Sequence, residues 1–80
     1  MKKIFYGDKK NISGERIYEM RKKFHMSQSE LAVKMQVMGV IVEQDVISRI
    51  ENGRRIITDY ELYAICRIFE VSSDWVLGLE

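Results

Sequence analysis

Two runs decide how this chain reads: Ser27-Gln28-Ser29-Glu30-Leu31-Ala32 and Ile47-Ser48-Arg49-Ile50-Glu51-Asn52-Gly53. The first opens a helix. Ser27 can cap it, and Glu30, three residues later, can reach back to the Ser27 backbone amide to complete a capping box. The second is a short helix with one apolar edge. It closes on Asn-Gly, the residue types that accept the left-handed conformation at a helix end. Residues 27–53 therefore read as helix, connection, helix. The connection itself is unusual. Gln36-Val37-Met38-Gly39-Val40-Ile41-Val42-Glu43 is longer and more apolar than a tight turn requires.

The polar and apolar faces of the second helix separate cleanly. At about 100° per residue, Gln44, Asp45, Ser48, Arg49 and Asn52 share one arc, and Val46, Ile47 and Ile50 share the opposite one. Three β-branched residues anchor the helix, and the outward face carries the groups that read base edges. Arginine pairs with guanine O6/N7, glutamine with adenine N6/N7, aspartate with cytosine N4, and serine with either. A solvated face has the same composition. The capped helix upstream favours the nucleic-acid reading, because two such helices in sequence place the second in a major groove. Arg54 and Arg55 follow the Asn-Gly stop, where phosphates would lie.

The flanking segments supply a core. Met1 to Lys10 shows no clean period and reads as a tail, leaving a domain over residues 11–80 with the helix-turn-helix unit at 27–53. Asn11 and Ser13 are both placed to cap a first helix, in which Ile17, Met20 and Phe24 form the inward stripe. Arg21 lies beside that stripe and demands a carboxylate, since an unpaired buried guanidinium is costly. Leu31, Ala32, Met35 and Met38 face inward from the second helix, which Gly39 stops. Thr58 and Glu61 open a fourth helix with Leu62, Ile65, Cys66 and Phe69 inward. Ser72 and Ser73 lead into a short fifth helix that Gly78 ends. The apolar residues Trp75, Val76, Leu77 and Leu79 are available for monomer packing or for contact with a second copy.

Composition narrows the function classes. The chain has 80 residues, no proline, one cysteine and one histidine, which predicts a single all-α domain without disulfides and fits a cytoplasmic location. A lone His25 in a turn, a lone Cys66 and no glycine-rich phosphate loop leave no catalytic constellation, no metal site and no cofactor to expect. Methionines at helical spacing read as core filler. No apolar run is long enough for a membrane span, and the charged start lacks a signal peptide's apolar centre. Net charge is only +1, yet residues 1–25 carry eight bases against three acids, while the remaining 55 carry five against nine. One basic face can coexist with overall neutrality.

From Gly14 to Gly78 the chain resembles the phage repressor/Cro-type (Xre) helix-turn-helix domains of bacteria and their phages. The matching residues are Arg21, Ser27-Gln28, Leu31-Ala32, Ile47 to Gly53, and Asp74-Trp75-Val76-Leu77. The resemblance implies a small five-helix, lambda-repressor-like domain. It also implies an ion pair between Arg21 and Glu51, and a phosphate-binding role for Gln28. Gln44, Asp45, Ser48 and Arg49 take the base-facing positions; Asn52 and Arg54 take backbone-gripping ones, with Arg55 beside them. The departure is the connection. Twelve residues, Gln36 to Ile47, stand where the family has about seven, so helix 2 should gain about a turn and an apolar loop should follow. Glu43 occupies the usual cap position, which leaves Asp45 as an alternative cap for a later-starting helix.

The expected function is sequence-specific binding of double-stranded DNA by a repressor-like transcriptional regulator, with no enzymatic activity and no small-molecule ligand. One short helix reads few base pairs, so a homodimer on half-sites about 34 Å apart is the expected form. The alternative is a protein-interaction or antitoxin module that keeps the fold with little or no DNA binding.

Overall fold

The structure is a computed structural model that describes residues 9–80. Of the tail at 1–10, only Lys9 and Lys10 fall inside it; Lys2 and Lys3 lie outside the described residues. Five helices follow in order: α1 Gly14–Lys23, α2 Gln28–Val37, α3 Gln44–Glu51, α4 Asp59–Phe69 and α5 Ser73–Val76. There is no strand among the described residues. Each helix starts and stops for a local reason. Capping boxes form at Ser27/Glu30 and at Thr58/Glu61, and the Ser72 side chain caps α5. At the end of α2, Gly39 sits at φ 88°. Its amide donates to the Gln36 carbonyl and the Val40 amide to the Met35 carbonyl, the paired closure of a Schellman motif. The end of α3 repeats this around Gly53, with the Gly53 and Arg54 amides donating to Ile50 and Arg49.

All five helices and the connection contribute to the core: Ile17 and Met20, Leu31, Ala32 and Met35, Val42, Ile47 and Ile50, Ala64, Ile65 and Phe69, and Val76. Leu62 and Cys66 are half-buried against the core, and two expected members are exposed. Phe24 is 49 % exposed because it caps α1 where the helix stops, although its ring still meets Phe69 edge-on at 5.4 Å. Met38 is 39 % exposed because α2 ends at Val37, so the helical period no longer carries position 38 inward. At the other end of the chain Val76 is buried, Trp75 packs against the core and Leu79 is exposed.

The long connection splits by side chain. Val42 is buried and Val40 packs against the core, while Ile41 between them points outward at 71 % exposure. An extended segment alternates its side chains in this way. Burying one valine contributes about 1.5 kcal/mol, whereas ordering a residue costs about 1–2 kcal/mol. Val42 alone therefore does not hold the loop, and the Schellman closure and Val40 share the task.

Two seams set the angle of α3. At the first, the N-terminus of α1 abuts the C-terminus of α3. The Asn11 carboxamide accepts from the Gly14 amide (2.7 Å) and donates to the carbonyls of Ile50 (2.9 Å) and Arg55 (2.8 Å). Of the two candidate caps it is thus Asn11 that uses its side chain. Ser13 is buried, with its hydroxyl unpartnered. Lys10 donates its amide to the Gly53 carbonyl, and the Lys9 ammonium lies 3.1 Å from Glu15. The partial positive charge of one helix end meets the partial negative charge of the other. A Cβ on Gly14 would stand 2.2 Å from the Ile50 carbonyl oxygen.

At the second seam Arg21 and Glu51 pair with side chains only 9 % and 5 % exposed. Arg21 Nε donates to Glu51 Oε2 at 2.7 Å and its Nη2 to Oε1 at 2.9 Å, while Nη1 donates to the Met26 carbonyl at 2.9 Å. The bond to Glu51 outweighs burial and holds the guanidinium above its ordinary pKa.

Two outcomes follow from these seams. Gly14→Ala should lose about 3 kcal/mol or more in urea unfolding, because the clash is with backbone. Gly39→Ala, with open space around its Cβ, should lose only the left-handed strain of about 1–2 kcal/mol; equal losses would mean that the seam yields. Arg21→Met should lose about 3–5 kcal/mol by stranding the Glu51 charge, and Arg21→Met/Glu51→Leu should regain most of it. A double variant no more stable than the single one would refute the stranded-charge account.

Candidate nucleic-acid interface

Helix α3 presents the site. Ile47 and Ile50 are buried and Val46 packs against the core, leaving Gln44, Asp45 and Arg49 exposed with Ser48 half-buried beside them. The helix begins at Gln44 with Glu43 in the cap position, and the Glu43 side chain makes no capping bond. The later start that Asp45 would have capped does not occur. Instead the Asp45 carboxylate accepts from Arg49 one turn on, with Nη2 3.3 Å from Oδ2 and side chains 64 % and 54 % exposed. Gln44 therefore stays on the outward face within the first helical turn.

A chain of hydrogen bonds fixes Gln44 and Gln28 relative to the buried pair. Glu51 Oε1, already bonded to Arg21, also accepts from the Gln28 amide nitrogen at 3.0 Å. A carboxylate can only accept, so Gln28 must turn its NH2 inward and its oxygen outward. That oxygen then accepts from the Gln44 amide nitrogen. The direction of every bond is set by the charge at its buried end. Three helices are linked by one polar network: Arg21 from α1, Gln28 from α2, and Glu51 and Gln44 from the two ends of α3.

The loop after α3 carries the other expected residues. Asn52 is exposed, and its side-chain oxygen accepts from the Arg54 amide at 3.3 Å. Arg54 is exposed, and its side chain extends without a hydrogen-bond partner among the described residues. Arg55 is placed differently from its neighbour. Its guanidinium forks onto Glu61 at 2.9 and 3.1 Å, and Nη1 also donates to the Ile56 carbonyl. Burial pushes the Glu61 carboxyl up, but the bonds from Arg55 and from the Thr58 backbone amide outweigh it and leave the pKa below the ordinary carboxylate value. This contribution to stability is complete above the ordinary carboxylate range and is lost as pH falls through the depressed folded value. Arg55 thus fastens the loop to α4.

At the start of α2 the Glu30 carboxylate is likewise held below its ordinary value by the Ser27 backbone amide, as the other half of the capping box. Sequence reasoning missed the reach of Asn11, which bonds carbonyls 39 and 44 residues away. Only the cap at Gly14 had a local signal. It also missed the stacking of the Arg16 guanidinium 4.4 Å over the Trp75 ring, which ties α1 to α5. Among the described residues no cluster of His, Cys, Asp or Glu could hold a metal ion, and no helix is long and apolar enough to cross a membrane.

Known proteins share this fold. The helix-turn-helix family model matches residues 17–76, from inside α1 to the end of α5. Among solved structures, the P22 c2 repressor protein in complex with synthetic operator 9T in the presence of Tl+ is similar. It is 26 % identical, with a TM-score of 0.74 over 88 % of this chain and 98 % of that one. No curated protein sequence matches. The family match spans the buried Arg21–Glu51 pair, both helices of the unit and the closing helix, and the chain belongs to the helix-turn-helix family of phage repressor/Cro type.

Proposed function

We propose that this domain is a sequence-specific double-stranded DNA-binding protein acting as a repressor-like transcriptional regulator in the bacterial cytoplasm. The observation that carries the reading is the outward face of α3. It offers donors and acceptors suited to base edges and is locked to Gln28 on α2 through Glu51. A related repressor of the same fold was solved on an operator.

The parts divide by what they touch. Gln28, at the positive end of α2, offers a phosphate the second N–H of its side-chain NH2, the first being held by Glu51, and Asn52 and Arg54 grip the backbone beyond α3. Such contacts position the protein without reading sequence. Arg55 adds its charge to the same loop while it holds Glu61. Gln44, Asp45, Ser48 and Arg49 address the bases. Gln44 arrives already oriented by Gln28, whose oxygen accepts from it. The role is one of binding, not catalysis. Two copies on half-sites about 34 Å apart supply the affinity that one eight-residue helix lacks.

Fluorescence anisotropy with duplex DNA tests this. The chain should bind random-sequence duplex at low salt and lose affinity steeply as salt rises; no binding at low salt would sink the proposal. Arg54→Ala should weaken all duplexes alike and reduce the salt slope by about 1, whereas Arg49→Ala should cost about 1–3 kcal/mol on preferred sites and relax their specificity.

A further inference from the structure

We propose that Asp45 and Arg49 read DNA as one unit, a guanine beside a cytosine, with Asp45 acting as the group that rejects other bases. The inference rests on the DNA-binding reading above and names the sequence class that it would take. The two side chains leave α3 one turn apart, about 6 Å along the axis, yet their charged ends converge to 3.3 Å. That separation is close to the rise of about 3.4 Å between neighbouring base pairs. Both ends are more than half exposed and face away from the core. Asp45 is not consumed by capping, because α3 starts at Gln44 without a side-chain cap. A joined acceptor and donor, close enough to address neighbouring base pairs, therefore stand on the outward face of α3.

The chemistry of the base edges selects the partners. Arg49 keeps guanidinium donors beyond the one that Asp45 takes, and guanine offers the paired acceptors O6 and N7. An ionised carboxylate only accepts. In the major groove cytosine shows an amino donor at N4, while thymine shows the O4 acceptor and guanine shows O6 and N7. Opposite Asp45 the last two leave acceptors facing a charge with no proton between them. Adenine has an amino donor but places N7 beside it, so it suits a carboxylate less well than cytosine. An alanine at position 45 would leave Arg49 free to bind guanine in any context. The aspartate makes that binding conditional on the adjacent base pair, at the expense of repelling nearby phosphates.

The test is selection from randomised duplexes with the 80-residue chain and its Asp45→Ala and Asp45→Asn variants, each checked for native helix content by circular dichroism. The natural chain should enrich a guanine with cytosine at the adjacent step. Asp45→Ala should keep the guanine but lose the cytosine, with preference at that position falling roughly tenfold, within the range of single-base discrimination. Asp45→Asn should move the position toward adenine, which asparagine reads bidentately. Identical selected sequences for all three proteins would overturn the inference. So would a uniform rise in affinity with Asp45→Ala, since Asp45 would then only repel phosphates. A uniform loss would assign it to helix stability and overturn the inference as well. Failure of the natural chain to enrich any sequence would instead overturn the DNA-binding reading beneath it.

Discussion

The Glu51 carboxylate is the group on which the site's geometry depends. It is the last residue of α3, it is nearly removed from water, and it accepts from Arg21 on α1 and from Gln28 on α2. A buried carboxylate is tolerated only when its lone pairs are met. The three helices therefore share one arrangement in which all the partners converge. Hydrophobic packing alone allows small slides and rotations of α3 over Ile47 and Ile50. The bidentate fork from Arg21 does not, because planar guanidinium and carboxylate must align. The pair's contribution is accordingly positional more than energetic. Its desolvation offsets much of its attraction, but what remains is a fixed angle for the face that carries Gln44 and Arg49.

The long connection becomes intelligible from the same constraint. With α3 pinned at its C-terminal end by Glu51 and Asn11, the residues before it need only deliver Gln44 to Gln28 and keep water from the core. Val42 and Val40 cover the core, and Gly39 turns the chain at the end of α2. Ile41 is the residue left over. The insertion therefore adds length where position is already set from elsewhere, and the capping function that Glu43 fails to supply matters less at a helix anchored from its far end.

Much of the fold was legible because its signals are local. Capping boxes at Ser27/Glu30 and Thr58/Glu61, the Asn-Gly stop and the apolar arc of α3 each involve residues within a turn or two of one another. The demand of Arg21 for a carboxylate was legible too, as a cost, and the family resemblance pointed to Glu51. What stayed hidden depends on distance in sequence or on where a helix stops. Nothing local to Asn11 indicates that its amide will bind the carbonyls of Ile50 and Arg55. Helical spacing carried Phe24 and Met38 inward, but each occupies a C-cap, where the periodicity has ended. Arg55 looked equivalent to Arg54 by adjacency. The difference lies in Glu61, which the capping box had already drawn back toward the loop, within reach of one arginine and not the other.

Charge placement says what kind of binder this arrangement can be. In a domain with net charge +1 and two acids, Glu43 and Asp45, at the start of α3, attraction for DNA depends on where the bases lie more than on their number. Non-specific affinity comes almost wholly from phosphate neutralisation, and here the exposed arginine of the α3–α4 loop is Arg54, since Arg55 is committed to Glu61. When competing sites outnumber the right one by many orders of magnitude, occupancy depends on the ratio of affinities and not on either alone. On the reading proposed above, an acid on the outward face of α3 lowers the affinity for most sequences. A carboxylate there tolerates a base edge that offers it an amino group, so on that reading Asp45 sharpens the choice of site.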